Sequence, residues 1–147
     1  MVLAGVALVA ATLLGMERWQ DRDAEAPESI VAGDRELSLR RGRVFLYFFN
    51  PYCPHCLKAA QAMSRLEWQA TEIGLPTQYF DQGPGFFQDA GMRQVALSRE
   101  AAKLGESFPF KDVPFAVALE DGRVREKLRF FEEPQLGQTL RRIGFAR

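Results

Sequence analysis

Two cysteines separated by two residues are the side chains of this sequence best suited to chemistry. They belong to the segment Cys53-Pro54-His55-Cys56, and the chain has no other cysteine or histidine. A disulfide here would close too short a loop to stabilise a fold, because the entropic effect of a crosslink grows with loop length. Structural zinc needs four ligands, and this segment offers three. We therefore predict thiol–disulfide chemistry, with no metal bound.

The cysteines lie where a buried strand is expected to end and a helix to begin. Residues 44–49, VFLYFF, are typical of a central strand buried on both faces. A helix is predicted from about Cys53 to Ile73, with Gly74 and Pro76 ending it. The amide groups of a first helical turn favour negative charge, so the pKa of Cys53 is expected to lie below the ordinary value.

This placement assigns a role to each side chain of the motif. Cys53 is predicted to be the nucleophile, and Cys56, further into the helix, to resolve the mixed disulfide formed with a substrate. His55 is predicted to stabilise the Cys53 thiolate as a cation or hydrogen-bond donor; the alternative is a solvent-facing histidine with no effect. Pro54 is compatible with a first turn, since its missing N–H would be unpaired there.

The remaining sequence predicts an α/β domain that starts near Glu36. A strand, helix, strand unit is expected to be parallel, and Asp121-Gly122 indicates a hairpin near the end. The predicted elements after the first helix are a strand over 78–81, a loop over 82–91, a helix over 92–104, strands over 115–119 and 124–130, and a closing helix that begins near Pro134.

Size and charge bound the domain organisation. The 147 residues suffice for one domain and a short appendage, and 19 basic residues balance 19 acidic ones, which gives no indication of nucleic acid as a partner. Residues 1–15 carry no charged side chain, so residues 1–16 are predicted to be an apolar helix that serves as a membrane anchor or signal-like segment. An uncleaved anchor is favoured; a buried N-terminal helix is the alternative. Residues 17–33 would be a linker and residues 34–147 the folded domain.

The segment Phe48-Phe49-Asn50-Pro51-Tyr52-Cys53-Pro54-His55-Cys56 resembles the active-site stretch of the thioredoxin superfamily, and its Cys-Pro-His-Cys is similar to that of the DsbA group. Val113-Pro114, just before a predicted strand, resembles the superfamily's cis-proline segment. The predicted anchor and the entry into the strand look more like the TlpA or DsbE group of tethered periplasmic thioredoxins.

This resemblance implies a thioredoxin-like fold, in which helices flank a central mixed β-sheet. It also implies that Pro114 is cis and faces the active site, and that the backbone of Val113 pairs with substrate. Tyr52 and Phe115 flank the predicted groove and are expected to contact a substrate chain.

The expected function is that of an enzyme, a protein thiol–disulfide oxidoreductase on the periplasmic side of a bacterial inner membrane or in the periplasm. Its partners would be protein thiols and disulfides, a protein that recycles the redox pair, and a membrane through the N-terminal segment. No metal or organic cofactor is needed beyond the Cys53–Cys56 disulfide. The direction of electron flow stays open. The alternative is a non-catalytic assembly or interaction module of an envelope or conjugation machine.

Overall fold

A mixed five-stranded sheet forms the centre of the molecule in the computed structural model, which describes residues 26–147. The strands are β1 Ser29–Ala32, β2 Arg35–Ser38, β3 Arg43–Phe49, β4 Thr71–Pro76, β5 Ala96–Leu97, β6 Phe115–Glu120 and β7 Arg123–Leu128. The order in the sheet is β5-β4-β3-β6-β7, in which β3, β4 and β5 are parallel and β6 and β7 run antiparallel to their neighbours. A separate antiparallel pair, β1 and β2, precedes the sheet.

Helices cover both faces of this sheet. The helices are α1 Pro54–Met63, α2 Gly83–Ala90, α3 Ala101–Ser107 and α4 Gln135–Arg142, with a 3₁₀ turn at Phe80–Gln82. One face of β3, formed by Phe45, Tyr47 and Phe49, packs against α1, α2 and α4, and the other face packs against α3 and β1. The predicted α/β architecture and the doubly buried central strand are therefore confirmed.

The first helix is shorter than predicted, and this moves the next strand. Helix α1 ends at Met63, and Ile73, expected inside the helix, lies in β4. The side chain of Trp68 explains the break: its Nε1–H donates to the carbonyl of Met63 at 2.9 Å, and its ring packs against Phe45 at 4.7 Å. One side chain thus satisfies a helix-end carbonyl and fills the core, which outweighs the helical spacing of the apolar residues.

The region between β4 and β6 was predicted wrongly. Residues 78–81 form no strand, and residues 82–91, predicted as a loop, contain α2. The glycines of α2 are unfavourable for a helix, but the helix buries both Phe86 and Phe87. The free energy gained by burying these two rings outweighs the low helix propensity of the glycines. Residues 92–104 are not one helix: β5 and the start of α3 divide them.

The described chain extends further towards the N terminus than the domain predicted from Glu36. Residues 29–32, assigned to the linker, form β1 and pair with β2, and Ala26 is buried. The linker prediction is therefore wrong for this stretch. The predicted membrane segment and the rest of the linker fall in residues 1–25, outside the described residues. Between residues 26 and 147, no helix has the length and apolar character that crossing a bilayer requires.

The C-terminal elements agree with the sequence prediction. Strands β6 and β7 form the expected hairpin, in which Asp121 and Gly122 both have positive φ, as a type I′ turn demands. Helix α4 follows Pro134 and buries Leu136 and Leu140 against the sheet.

Candidate active site

The turn between β3 and α1 holds Cys53 at the N terminus of the helix. The backbone N–H of Cys53 donates to the carbonyl of Asn50 at 2.9 Å, and the side-chain Oδ1 of Asn50 accepts from the backbone N–H of Tyr52 at 2.9 Å. Cys53 is the N-cap, with extended backbone, and Pro54 occupies the first turn. The end of β3 and a turn closed by the backbone and side chain of Asn50 therefore fix the position of the Cys53 sulfur.

The sulfur of Cys53 is hydrogen-bonded to the first turn of α1. Its Sγ accepts a hydrogen bond from the backbone N–H of Cys56 at 3.2 Å, as the side-chain oxygen of an ordinary N-cap residue would. The first turn of α1 contains no acidic residue. Cys53 is partly exposed, so the sulfur of a substrate can reach it.

Cys56 is fully buried behind Cys53. Burial raises the pKa of its thiol to about 12, and the hydrogen bond and charge of the neighbouring Cys53 act in the same direction. A hydrogen bond from the Asn50 backbone opposes this rise without cancelling it. The two thiols are thus unequal: the outer one meets solvent and helix amides, whereas the inner one is held in its protonated form.

A buried tyrosine lies beneath the pair. The hydroxyl of Tyr47 donates to the backbone carbonyl of Cys56 at 2.7 Å, although only 2% of the residue is exposed. Burial, and then the nearby charges of Cys56 and Cys53, raise the pKa of Tyr47 above its usual range, so this hydroxyl remains a donor. From the sequence, Tyr47 was predicted only as part of the buried strand; the available signal was one hydroxyl within an otherwise apolar run.

Among residues 26–147, one further acid has a strongly shifted pKa, and it lies away from the cysteines. Glu72 in β4 is buried, and burial raises the pKa of its carboxyl to about 7. Its strand partner is Phe45, four residues before Phe49, which corresponds to roughly 13 Å along the strand. Glu72 is therefore at the opposite end of the sheet from the redox pair.

Two tyrosines form an exposed aromatic pair next to Cys53. Tyr52 and Tyr79 are 65% and 56% exposed, and their ring centroids are 4.8 Å apart in an edge arrangement. Tyr79 follows β4 with a φ of 51°, an uncommon conformation for a tyrosine. Thr77 ties this loop to the end of β3 through hydrogen bonds to the carbonyl of Phe49. Tyr52 was predicted as a substrate contact, but Tyr79 was missed because its segment was interpreted as a strand.

The other predicted site residues fall at the same edge of the sheet, with differing exposure. The peptide bond between Val113 and Pro114 is cis, which confirms that expectation. Phe48 pairs with Phe115, so the Val113-Pro114 bond lies beside the end of β3, and Val113 packs against the same buried cluster as Cys53. His55 is exposed in the first turn of α1.

The prediction that Phe115 contacts substrate is wrong. The ring of Phe115 is fully buried and packs against Phe48 and Phe110, with centroids 5.6 and 5.1 Å away. The first residue of β6 points into the core because its neighbour on β3 faces the same layer. Its side chain therefore supports the site from below.

Within residues 26–147, no three His, Cys, Asp or Glu side chains are grouped so that they could hold one metal ion.

Comparisons with known proteins resolve the fold. No protein-family model matches the chain, and neither does any curated protein. Among solved structures, a thioredoxin-like protein from Aeropyrum pernix is 17% identical with a TM-score of 0.64, covering 95% of this chain and 97% of its own. The chain has a thioredoxin-like fold. DsbF of Mycobacterium tuberculosis is 15% identical with a TM-score of 0.65, covering 83% of this chain and 98% of its own.

A third thioredoxin-like structure is a secreted disulfide oxidoreductase of Mycobacterium tuberculosis homologous to Escherichia coli DsbE. It is 14% identical with a TM-score of 0.62, and the match covers 78% of this chain and 94% of that one. At such identities the likeness concerns the fold. The chemistry of this chain must be argued from its own residues.

Proposed function

We propose that the protein is a thiol–disulfide oxidoreductase of the cell envelope that exchanges disulfides with protein thiols through Cys53 and Cys56. One observation carries this proposal: the Sγ of Cys53 accepts the backbone N–H of Cys56 at a helix N terminus, while Cys56 itself is fully buried. A partly exposed nucleophile with a protonated thiol behind it is the arrangement that thiol–disulfide exchange requires. A secreted disulfide oxidoreductase has a similar fold, which is consistent with this chemistry and location.

The proposed reaction in the oxidising direction begins with the Cys53–Cys56 disulfide. A substrate thiolate attacks the Sγ of Cys53, the intramolecular S–S bond breaks, and Cys56 leaves as a thiolate that takes up a proton. A second substrate thiolate then attacks the substrate sulfur of the mixed disulfide, which releases the oxidised substrate and the reduced pair. In the reducing direction the Cys53 thiolate attacks the substrate disulfide and releases one substrate thiolate. Cys56 then attacks the Sγ of Cys53 in the mixed disulfide, which releases the second substrate thiolate and forms the Cys53–Cys56 disulfide.

Neighbouring groups have supporting roles in this proposal. The exposed His55 lies two residues after Cys53 and would stabilise its thiolate. The backbone of Val113 would pair with the substrate chain beside Pro114, and Tyr52 would contact it on the other side. The redox pair needs no further cofactor, but a partner protein must reset it after each turnover. The membrane anchor over residues 1–16 stays a prediction.

The decisive experiment compares the wild-type protein with Cys53→Ser and Cys56→Ser variants in insulin reduction and in oxidative refolding of a reduced protein. Both variants should lose turnover. Cys56→Ser should also accumulate a mixed disulfide at Cys53, since the resolving thiol is missing. Full biological function of the Cys53→Ser variant in the cell would contradict the proposal and favour the non-catalytic assembly module, an alternative that the buried thiol of Cys56 does not favour.

The reduction potential of the pair determines the direction. A value near about −120 mV would indicate an oxidant, and one near or below about −270 mV a reductant.

A further inference from the structure

A cavity lies directly beside the Val113-Pro114 bond. Its volume is about 580 Å³, and it is lined by residues 109–114 and by Arg129, which follows β7. Because Ala116 pairs with Leu128, the chain leaves β7 beside the start of β6. The cavity is therefore at the sheet edge that carries the cysteines, on the side away from Tyr52 and Tyr79.

Aromatic rings support the cavity and orient one of its cations. Phe110, which lines it, stacks on Phe115 with centroids 5.1 Å apart and planes 23° from parallel. The guanidinium of Arg129 lies 5.3 Å from the centroid of the Phe115 ring. This contact is within the range of a cation–π interaction and restricts the guanidinium to the cavity wall.

The basic side chains that line the cavity are not paired with carboxylates within residues 26–147. Lys111 and Arg129 contribute two positive charges and Asp112 one negative charge. Among residues 26–147, neither of the two cations forms an ion pair with a carboxylate. By contrast, Arg125 in β7 forms an ion pair with Glu120 at 2.6 Å. The cavity thus presents an apolar wall and a net positive rim, which is complementary to a carboxylate.

We propose that this cavity binds an acidic side chain of the protein substrate, close to the substrate cysteine that reacts with Cys53; the inference rests on the proposed function. Strands β3 and β7 are two positions apart in the sheet, or about 10 Å, which an extended chain spans with about three residues. The carboxylate is therefore expected two or three residues from the substrate cysteine.

The test uses nine-residue peptides with one cysteine and with Glu or Gln placed two or three residues to either side. Each reacts with the oxidised full chain, and the readout is the ratio of second-order rate constants, Glu peptide over Gln peptide, at low salt. Two partly exposed ion pairs predict a ratio of about three to ten for one placement. A Lys111→Gln/Arg129→Gln double variant should bring the ratio close to one.

The matched control is Arg93→Gln, which removes an exposed arginine just before β5, at the opposite edge of the sheet. It should keep the wild-type ratio, and higher salt should lower that ratio. A ratio near one in the wild type, or one unaffected by the double variant, overturns the inference.

Exchange with glutathione and with its diethyl ester distinguishes two possible occupants of the cavity, an acidic side chain of a protein substrate and a small acidic thiol. If the double variant abolishes the preference for glutathione over the ester but leaves the peptide ratio intact, the occupant is a small thiol and the inference is wrong. Absence of exchange with dithiothreitol in the wild type would instead overturn the proposed function itself.

Discussion

The unequal environment of the two sulfurs makes a quantitative prediction about their alkylation. Burial raises the pKa of Cys56 from 9.0 to about 12. At pH 8 its thiolate fraction is therefore about a thousandfold below that of an ordinary thiol of pKa 9.0. A more basic thiolate is intrinsically more nucleophilic, and with a Brønsted coefficient of about 0.4–0.5 this recovers about twentyfold. Cys56 should thus react at least about fiftyfold more slowly than a free thiol, before any steric hindrance.

The assay treats the reduced protein with limiting iodoacetamide and maps the labelled peptides by mass spectrometry, with N-acetylcysteine as the reference. Cys53, partly exposed and bonded by a helix amide, should be labelled first. The labelling rate of Cys56 should increase about tenfold per pH unit from pH 8 to 10, because the thiol titrates above this interval. A Cys53→Ser variant isolates the inner thiol. Labelling of Cys56 within fivefold of the reference at pH 8 would refute the reasoning.

Three further predictions concern stability, each measured by urea unfolding. The raised pKa of Glu72, about 7, means that the folded protein binds a proton more tightly than the unfolded chain, so stability falls as pH rises from about 4.5 to about 7. Glu72→Gln should therefore stabilise more at pH 8 than at pH 5, by about 1–3 kcal/mol, whereas the exposed Glu106→Gln should show no such difference; equal gains at both pH values would contradict this. Gly74→Ala should lower the free energy of unfolding by about 1–3 kcal/mol, since the new Cβ would lie 2.5 Å from a buried phenylalanine ring. The control Gly85→Ala, whose Cβ would have no neighbouring atom within 4 Å, should raise the free energy of unfolding by up to about 1 kcal/mol. The reverse order of the two variants would contradict this prediction. Tyr47→Phe should cost about 1 kcal/mol because it removes a buried hydrogen bond, and an unchanged urea midpoint would mean that this bond contributes nothing.

The parts of the fold that sequence analysis predicted correctly are those in which local pattern and tertiary role agree. The apolar run in β3 matches a strand buried on both faces, and Asp121-Gly122 matches the hairpin turn that joins β6 to β7. The N terminus of α1 follows from Pro54 after a strand-breaking Asn50-Pro51. In each case the residue preference and the final environment favour the same conformation.

The errors arise where long-range packing decides between two local options. The α1 helix stops at Met63 because Trp68 folds back on it, and no spacing in the sequence reveals that contact. The α2 helix forms despite its glycines because its two phenylalanines reach the core. Gly83 also lies close to Leu97, where a side chain would meet the leucine methyl groups at 3.1 Å. Such contacts join residues far apart in sequence, and periodicity does not report them.

The candidate site divides in the same way. The motif alone identified Cys53 and Cys56, whereas the hydroxyl of Tyr47 acquires its role only when β3 lies beneath α1. The burial of Phe115 follows from its pairing with Phe48, which needs the register of β3 and β6.

The strand order also explains why the surroundings of the nucleophile are asymmetric. At the edge where β4 and β3 end, Tyr79 stands beside Tyr52, whereas across β6 the chain passes Pro114 and reaches Arg129 after β7. A chain that crosses Cys53 therefore has exposed aromatic rings on one side and a cationic cavity on the other. Reversing the substrate would exchange the residues presented to these two surfaces, so the order β4-β3-β6-β7 itself allows the direction of a bound chain to be distinguished.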